Sequence, residues 1–506
     1  MRAWSGCSPQ PDGTAASEKA GKMNGMPHEL SLELVDALGP DAIVTPDTDL
    51  AAWERGVRGD NGQAAFIMRP AGTEEVSAAV ACCVRHGVPF VPQAGNTGLV
   101  GGSTPDHSGT QAVLSLERLN RVCEIDVDNR SVRVSAGMRL SQLNARLEAK
   151  GLCFPVDLGA DPMIGGMVAT NTGGARFLRY GDVRANTLGL TVVLPDAEGT
   201  VLRLDRTPRK DNTAPDWKQL FIGTSGAFGI VTECVLNVEP LPRERATAIL
   251  VPRDETAIFE LLRELETRLG SDLSAFEFMS GTAMRHALAH APAVRNPFSD
   301  EDIPAIALLV EIARTAPAEA GDPPLAEILE RTLATVWELP DAPLTDARFG
   351  PAEELWPLRH ALSEGVRHAG RLFAFDLAFA RTDVMRFRES MTQRLADDWP
   401  ELEICDFGHV GDGGIHFNLV CRDDDRCQRE GYEQALRDMV VQHAVEDFHG
   451  SFSGEHAIGR SNQRYYDRYT PEVLKTLADR VSTALRLHPG SAVRFGHRDK
   501  TPDSPE

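Results

Sequence analysis

Around residue 240 the arrangement of helical and strand patterns along the chain changes, which limits the fold to one built from two unlike parts. From 41 to 240 short helices and strands alternate closely. The stretch "TEEVSAAVACCVRHG" (73–87) has the threonine cap, early acids and terminal glycine of a helix. "VPFVPQ" follows as a short buried strand, so the order is βαβ-like. "VCEIDVDNRSVRVSAG" alternates with period two, the helix "RLSQLNARLEAKG" comes next, and "TLGLTVVLPDAEGTVLRL" reads as further strands. From 241 to 425 the helices lengthen, as in "ETAIFELLRELETRLG", between strands such as "AIALLVEIA" and "RLFAFDLAFA", and "RTAPAEAGDPP" (314–324) reads as a surface loop. Two helical stretches then flank "SFSGEHAIG". The expectation is an α+β chain with a disordered leader (1–28), a first domain (29–240), a second α+β domain with an antiparallel sheet (241–425) and a helical C-terminal segment (426–506) that completes the active site. Its 506 residues are too many for one core.

Composition narrows the partners. With 42% hydrophobic and 25% charged residues the chain can bury large cores. A formal charge of -22 argues against nucleic acid or an anionic membrane as the main partner. Nine cysteines without a C-x-x-C pair suggest reduced, intracellular usage, and a cytoplasmic location is expected. There is no apolar run of 18 residues to span a membrane, and the first 25 residues lack the apolar core of a secretory signal.

Residues 409–418 read "HVGDGGIHFN". Its three glycines argue against a helix. If "LEICDF" (402–407) and "IHFNLV" (415–420) are antiparallel strands, the turn is centred between Asp412 and Gly413, and His409 lies opposite His416. Both imidazoles could then reach one divalent ion. Alone, the pattern is better explained as two ordinary strand histidines.

Two glycine-rich stretches point to a diphosphate. "PQAGNTGLVGGSTP" (92–105) follows a strand, and "IGGMVATNTGGARFLRYGD" (164–182) again mixes glycine with small polar residues. Glycine allows consecutive backbone N–H groups to face an anion. Neither stretch is a P-loop or a G-x-G-x-x-G motif. Either alone would most simply be a structural loop, but together they suggest one long ligand held from both sides.

With "RKDNT" (209–213) and "FIGTSGAFGIVT" (221–232), these stretches resemble the FAD-binding half of the vanillyl-alcohol oxidase and p-cresol methylhydroxylase superfamily. The likeness is strongest to its FAD-dependent D-2-hydroxyacid dehydrogenases, the group of D-lactate and D-2-hydroxyglutarate dehydrogenases and the glycolate oxidase flavin subunit, and runs from about residue 40 to 497. The resemblance implies a p-cresol methylhydroxylase-type FAD-binding domain and a substrate domain. It assigns FAD contacts to Pro92, Gly95, Asn96, Thr97, Gly98, Leu99 and Ser103 of the first loop. In the second it points to Gly165, Gly166, Thr170, Asn171, Gly173 and Gly174, with Ile230 near the adenine. Thr97 stands where some members attach the flavin through histidine, which implies non-covalent FAD.

The same resemblance makes "HVGDGGIHFN" a metal-binding hairpin and "SGEHAIG" (453–459) the source of a third ligand and a base. It implies His409, His416 and Glu455 as ligands of a divalent metal, zinc foremost, and His456 as the base for hydride transfer to flavin N5. Two imidazoles and a carboxylate leave positions open for substrate. Arg359 in "ELWPLRHALSEG" would hold the substrate carboxylate, with Ser363 and Asn418 as further contacts. Where the hydroxyglutarate-type enzymes resemble "YKYD", this chain has "FAFD" (373–376), so Ala374 replaces a lysine. D-Lactate or a longer apolar D-2-hydroxy acid, meeting Ala374, Phe373 and Phe375, is therefore expected to be preferred over a diacid. The "RFGH" tail (494–497) stands in place of "NPGK". An electron-transfer protein, cytochrome or quinone-linked acceptor and a homodimer complete the expectation. The alternatives are a flavin oxidase, a glycolate-oxidase-type subunit, a flavin-independent metal hydrolase and a non-catalytic flavin scaffold.

Overall fold

The computed structural model describes residues 26–205, 208–298, 303–422, 424–488 and 492–497. Most of the expected leader lies outside these residues, but its last residue already begins helix α1, His28–Leu38.

Helix α2 (Thr73–Arg85) buries Val76, Ala79, Val80 and Cys83, spaced so that one stripe faces inward. It covers a four-stranded sheet of β1 (Ile43–Val44), β2 (Ile67–Met68), β3 (Phe90–Gln93) and β4 (Ala112–Ser115), in the order β1-β2-β4-β3. The β2/β4 and β3/β4 pairs are parallel. A second, antiparallel sheet contains β5 (Cys123–Asp126), β6 (Ser131–Ser135), β7 (Thr187–Val193), β8 (Val201–Leu204) and β9 (Ile230–Asn237), in the order β5-β6-β9-β7-β8. The short helix α3 (Ile164–Thr170) packs on it. Gly165 permits this close approach, since a Cβ there would come within 2.5 Å of Ala136 Cβ.

The largest sheet has eight antiparallel strands. They are β10 (Glu244–Pro252), β11 (Leu273–Ser280), β12 (Ile306–Arg314), β13 (Leu344–Gly350), β14 (Arg371–Ala378), β15 (Leu402–Ile404), β16 (Phe407–Gly408) and β17 (Gly414–Cys421). The order is β13-β10-β12-β11-β16-β17-β14, with β15 paired to β17. Strand alternation gives the sheet two different faces. Phe276, Phe278, Phe417 and Leu419 point into a core with α4 (Ala257–Leu269) and α5 (Leu325–Trp337). Ala275, Met279, Leu309 and Val420 face α6 (Gly281–His290) and α7 (Ala352–His368) instead. Further on come α8 (Tyr432–Gln442) and α9 (Glu472–Ala484).

The hairpin register differs from the expected one. Phe407 is the partner of His416, and Leu402 and Ile404 oppose Cys421 and Leu419, so His409 falls opposite Gly414, whose N–H donates to its carbonyl. The slip is two residues, which preserves which side chains share a face. The rings of His409 and His416 consequently still meet, with centroids 5.2 Å apart. The cysteine reading is also corrected, because Cys421 and Cys427 form a disulfide, while Cys82, Cys83, Cys123, Cys153, Cys234 and Cys405 are free.

Candidate active site

A lone acid in an apolar strand marks where the sheet meets the site. Glu277 sits between Phe276 and Phe278 on β11 and is only 1% exposed. Alternation turns it toward α7, where Arg359 Nε and a terminal guanidinium nitrogen donate to its Oε2 at 2.9 and 2.8 Å. Its other oxygen lies 2.9 Å from His409 Nδ1. One buried carboxylate thus orients both the histidine expected to be a metal ligand and the arginine expected to bind substrate. The guanidinium also lies over the Phe407 ring.

On β14 the corresponding acid is Asp376, the cross-strand partner of His416. Its Oδ2 accepts from the backbone N–H groups of Glu455 and His456, both at 2.8 Å, which fastens the "SGEHAIG" segment to the sheet. Asp376 Oδ1 lies 3.7 Å from His416 Nδ1. The His456 ring stacks on His416, and its Nδ1 is buried without a hydrogen bond, 3.6 Å from Asp376.

These contacts bring the expected ligands together. Glu455 Oε1 is 3.5 Å from His409 Nε2 and 3.4 Å from His416 Nε2. Ligand atoms about 2.1 Å from a tetrahedral zinc are separated by roughly 3.4 Å, so the donor set fits such an ion. Each imidazole also has a carboxylate beside its second nitrogen, the usual support of a metal-bound histidine.

The local charges are tightly matched. Burial works against charge on His409, but Glu277 and Glu455 outweigh it and hold its pKa well above the ordinary value. Burial and the positive His409 push His416 well below that value. Burial also opposes ionisation of Glu455, yet His409 keeps its carboxyl down at about 2.

Next to this cluster is a cavity of about 480 Å³. Pro92, Gly95, Asn96, Thr97, Gly98, Leu99 and Ser103 line it, as do Gly165, Gly166, Thr170 and Ile230. Arg359, Ser363 and Asn418 lie on its wall with His409, His416, Glu455 and His456. Ser363 follows Arg359 by one helical turn, and Asn418 follows His416 on the same strand face. Among the described residues, no backbone N–H from Ala94 to Thr104 donates to another group of the chain, which leaves a row of donors for a diphosphate. The loop is shaped by Asn96, in the left-handed region at φ 52°, whose side chain bonds Ser103 and the Arg55 carbonyl.

Three expected cofactor residues stand behind the wall. Asn171 bonds Asp182 and the Arg184 N–H. Gly174, at φ +123°, packs against the Asp157 carbonyl, and Gly173 abuts Glu455. These contacts tie the second loop to its neighbours. Phe373, expected to face substrate, is wholly buried on the opposite strand face from Ala374, although Phe375 reaches the cavity. In the tail, Arg494 pairs with Asp467, and His497 with Asp479. Glu277 and Asp376 were not among the expected site residues, though each is visible as an acid inside an apolar strand.

A groove of free backbone donors leading to an imidazole and carboxylate cluster is a flavin-type oxidoreductase arrangement, and the known families agree. Residues 64–205 match the FAD binding domain family, and 241–485 match the C-terminal domain of FAD linked oxidases. The chain belongs to this FAD-linked oxidase family, within a group of proteins named D-2-hydroxyglutarate dehydrogenase. It is 32% identical over 426 residues to the mitochondrial D-2-hydroxyglutarate dehydrogenase of Arabidopsis thaliana, covering 82% of this chain and 72% of the relative. It is 31% identical over 472 residues to that of Rattus norvegicus, covering 90% and 83%. In three dimensions it is similar to p-cresol methylhydroxylase with substrate bound, at TM-score 0.65 and 16% identity, over 90% of this chain and 94% of the other. The expected p-cresol methylhydroxylase-type fold is thereby established. No helix among the described residues is long and apolar enough to cross a membrane.

Proposed function

We propose that this protein oxidises a D-2-hydroxy acid to the 2-oxo acid, using non-covalent FAD and a divalent cation held by His409, His416 and Glu455. The observation that carries the proposal is the spacing of the three donor atoms beside a buried, unpartnered His456 nitrogen. The relatives' names supply the substrate class. FAD supplies an acceptor for the C2 hydrogen and its electron pair, and the cation supplies the charge that acidifies the C2 hydroxyl. Arg359, held in place by Glu277, binds the carboxylate next to that carbon. Asp376 favours a proton on His456 Nδ1, which leaves Nε2 to receive the hydroxyl proton. A cytoplasmic location, a separate electron acceptor and a homodimer belong to the same proposal. Turnover of a panel of D- and L-2-hydroxy acids with an artificial electron acceptor tests it. Failure to oxidise any D-acid would sink the reading.

Two further results are expected. The flavin should leave the polypeptide on acid or heat denaturation, because Thr97 offers no imidazole for attachment. Flavin fluorescence that stays with the band on a denaturing gel would contradict this. Metal uptake should release protons, since Glu277 and Glu455 favour the charged form of His409 in the metal-free site and the ring must be neutral to ligate. Affinity then falls as pH drops, by up to about tenfold per unit below the His409 pKa. Calorimetry in two buffers of different ionisation enthalpy measures the release, and a value of zero would contradict the assignment.

A further inference from the structure

One acid buried in an apolar strand takes no part in the chemistry above. Glu311 lies between Val310 and Ile312 on β12 and is wholly buried. Its cross-strand partner is Ala275, two residues from Glu277, so the two acids stand on the same sheet face, beneath α7. Each receives a side chain of that helix. Arg359 donates to Glu277, and Trp356 Nε1, one turn earlier, donates to Glu311 Oε2 at 2.9 Å.

Glu311 also takes a cation from the other half of the chain. Arg176 directly follows Gly173, Gly174 and Ala175 of the second glycine stretch. Its Nε and Nη2 lie 3.0 and 3.4 Å from the two Glu311 oxygens, and its Nη1 lies 2.7 Å from Asp157, a carboxylate on the cavity wall. The guanidinium also covers the Trp356 ring, 5.4 Å from its centroid. Burial opposes ionisation of Glu311, but Arg176 outweighs it and holds the carboxyl below its ordinary range. A second cation, Arg245, and the Ser274 hydroxyl bond the same carboxylate at 2.8 and 2.9 Å. Arg176 and Asp157 belong to the segment that matches the FAD binding domain family, whereas Glu311, Trp356 and Arg359 belong to the other matched segment. One planar, bidentate guanidinium therefore joins the second glycine stretch, the cavity wall and the footing of α7.

We propose that Arg176 is a positioning residue: by pairing with Glu311 and Asp157 together it fixes the second glycine stretch against α7, and so sets how far the flavin stands from the carbon of a substrate held by Arg359. This rests on the proposed function. Hydrogen transfer depends steeply on distance, and a misplacement of about 1 Å costs about 10²-fold. Substrate binding is less sensitive, because Arg359 keeps its own partner, Glu277.

The test is the rate at which a D-2-hydroxy acid bleaches the flavin of the anaerobic holoenzyme, measured over a range of acid concentrations. Arg176→Gln is expected to lower the rate at saturation at least about tenfold and to leave the half-saturating concentration within about threefold of wild type. Arg176→Lys should recover part of the rate, since it restores the charge but not the fork. Glu311 keeps Arg245, Ser274 and Trp356 in both variants, so the fold should hold. An unchanged rate at saturation overturns the proposal, as does weaker binding at an unchanged rate. If Arg176→Gln does not fold, Arg176→Lys decides, and a wild-type rate in that variant overturns the proposal. If no D-acid bleaches the wild type, the proposed function fails, and hydrogen exchange of the holoenzyme decides the tie separately. Faster exchange in both 164–182 and 352–368 on Arg176→Gln supports it, and faster exchange in only one or in neither overturns it.

Discussion

Glu455→Gln is expected to lower turnover by about 10³-fold or more while the purified protein keeps its flavin. Glu455 Oε1 is the atom common to both distances, so loss of its charge removes the corner on which the proposed cation site closes. The amide keeps the shape, and the backbone N–H of residue 455 still bonds Asp376. The fold and the groove for FAD are therefore undisturbed. Metal analysis beside flavin absorbance separates the outcomes. Retained metal and near-normal turnover would show that Glu455 is no ligand, and loss of flavin together with metal would make its role structural.

Glu277→Gln should have the second large effect, on stability as well as activity. The carboxylate is 1% exposed and is the counter-charge of an arginine only 8% exposed. Removing one partner of a buried pair costs about 3–5 kcal/mol, because the other charge remains without compensation. The amide keeps one accepting oxygen for two donors, so Arg359 or His409 Nδ1 loses its acceptor, and loss of such support at a ligating histidine lowers metal affinity about 10- to 100-fold. Denaturant unfolding and metal titration measure the two effects independently. A stability within about 1 kcal/mol of wild type and unchanged metal affinity would show that Glu277 does not organise the site.

The site was legible in the sequence to the extent that it is local. The spacing of His409 and His416 and the adjacency of Glu455 and His456 are properties of short segments, and the histidine pair survives a register slip of two because strand faces repeat with that period. Glu277 and Asp376 are different. Each is one acid in an apolar strand, and only the sheet shows that one faces Arg359 and the other receives the N–H groups of a segment some 80 residues later. The Cys421 and Cys427 pairing was obscured by an odd cysteine count that argued for free thiols. Position 374 shows how much lies outside the strand itself. Read along the strand it lacks a cation, whereas in the fold Arg437 from α8 and Arg58 from before the first glycine loop line one cleft with it.

The most direct test of the central claim is the rate of flavin bleaching when the anaerobic holoenzyme is mixed with a D-2-hydroxy acid, with and without prior removal of metal by a chelator. Rapid bleaching by the D-acid and little by its L-isomer is expected. After chelation the rate should fall at least about 10³-fold, and added divalent cation should restore it. Bleaching at an undiminished rate in chelated enzyme that retains no metal would contradict it.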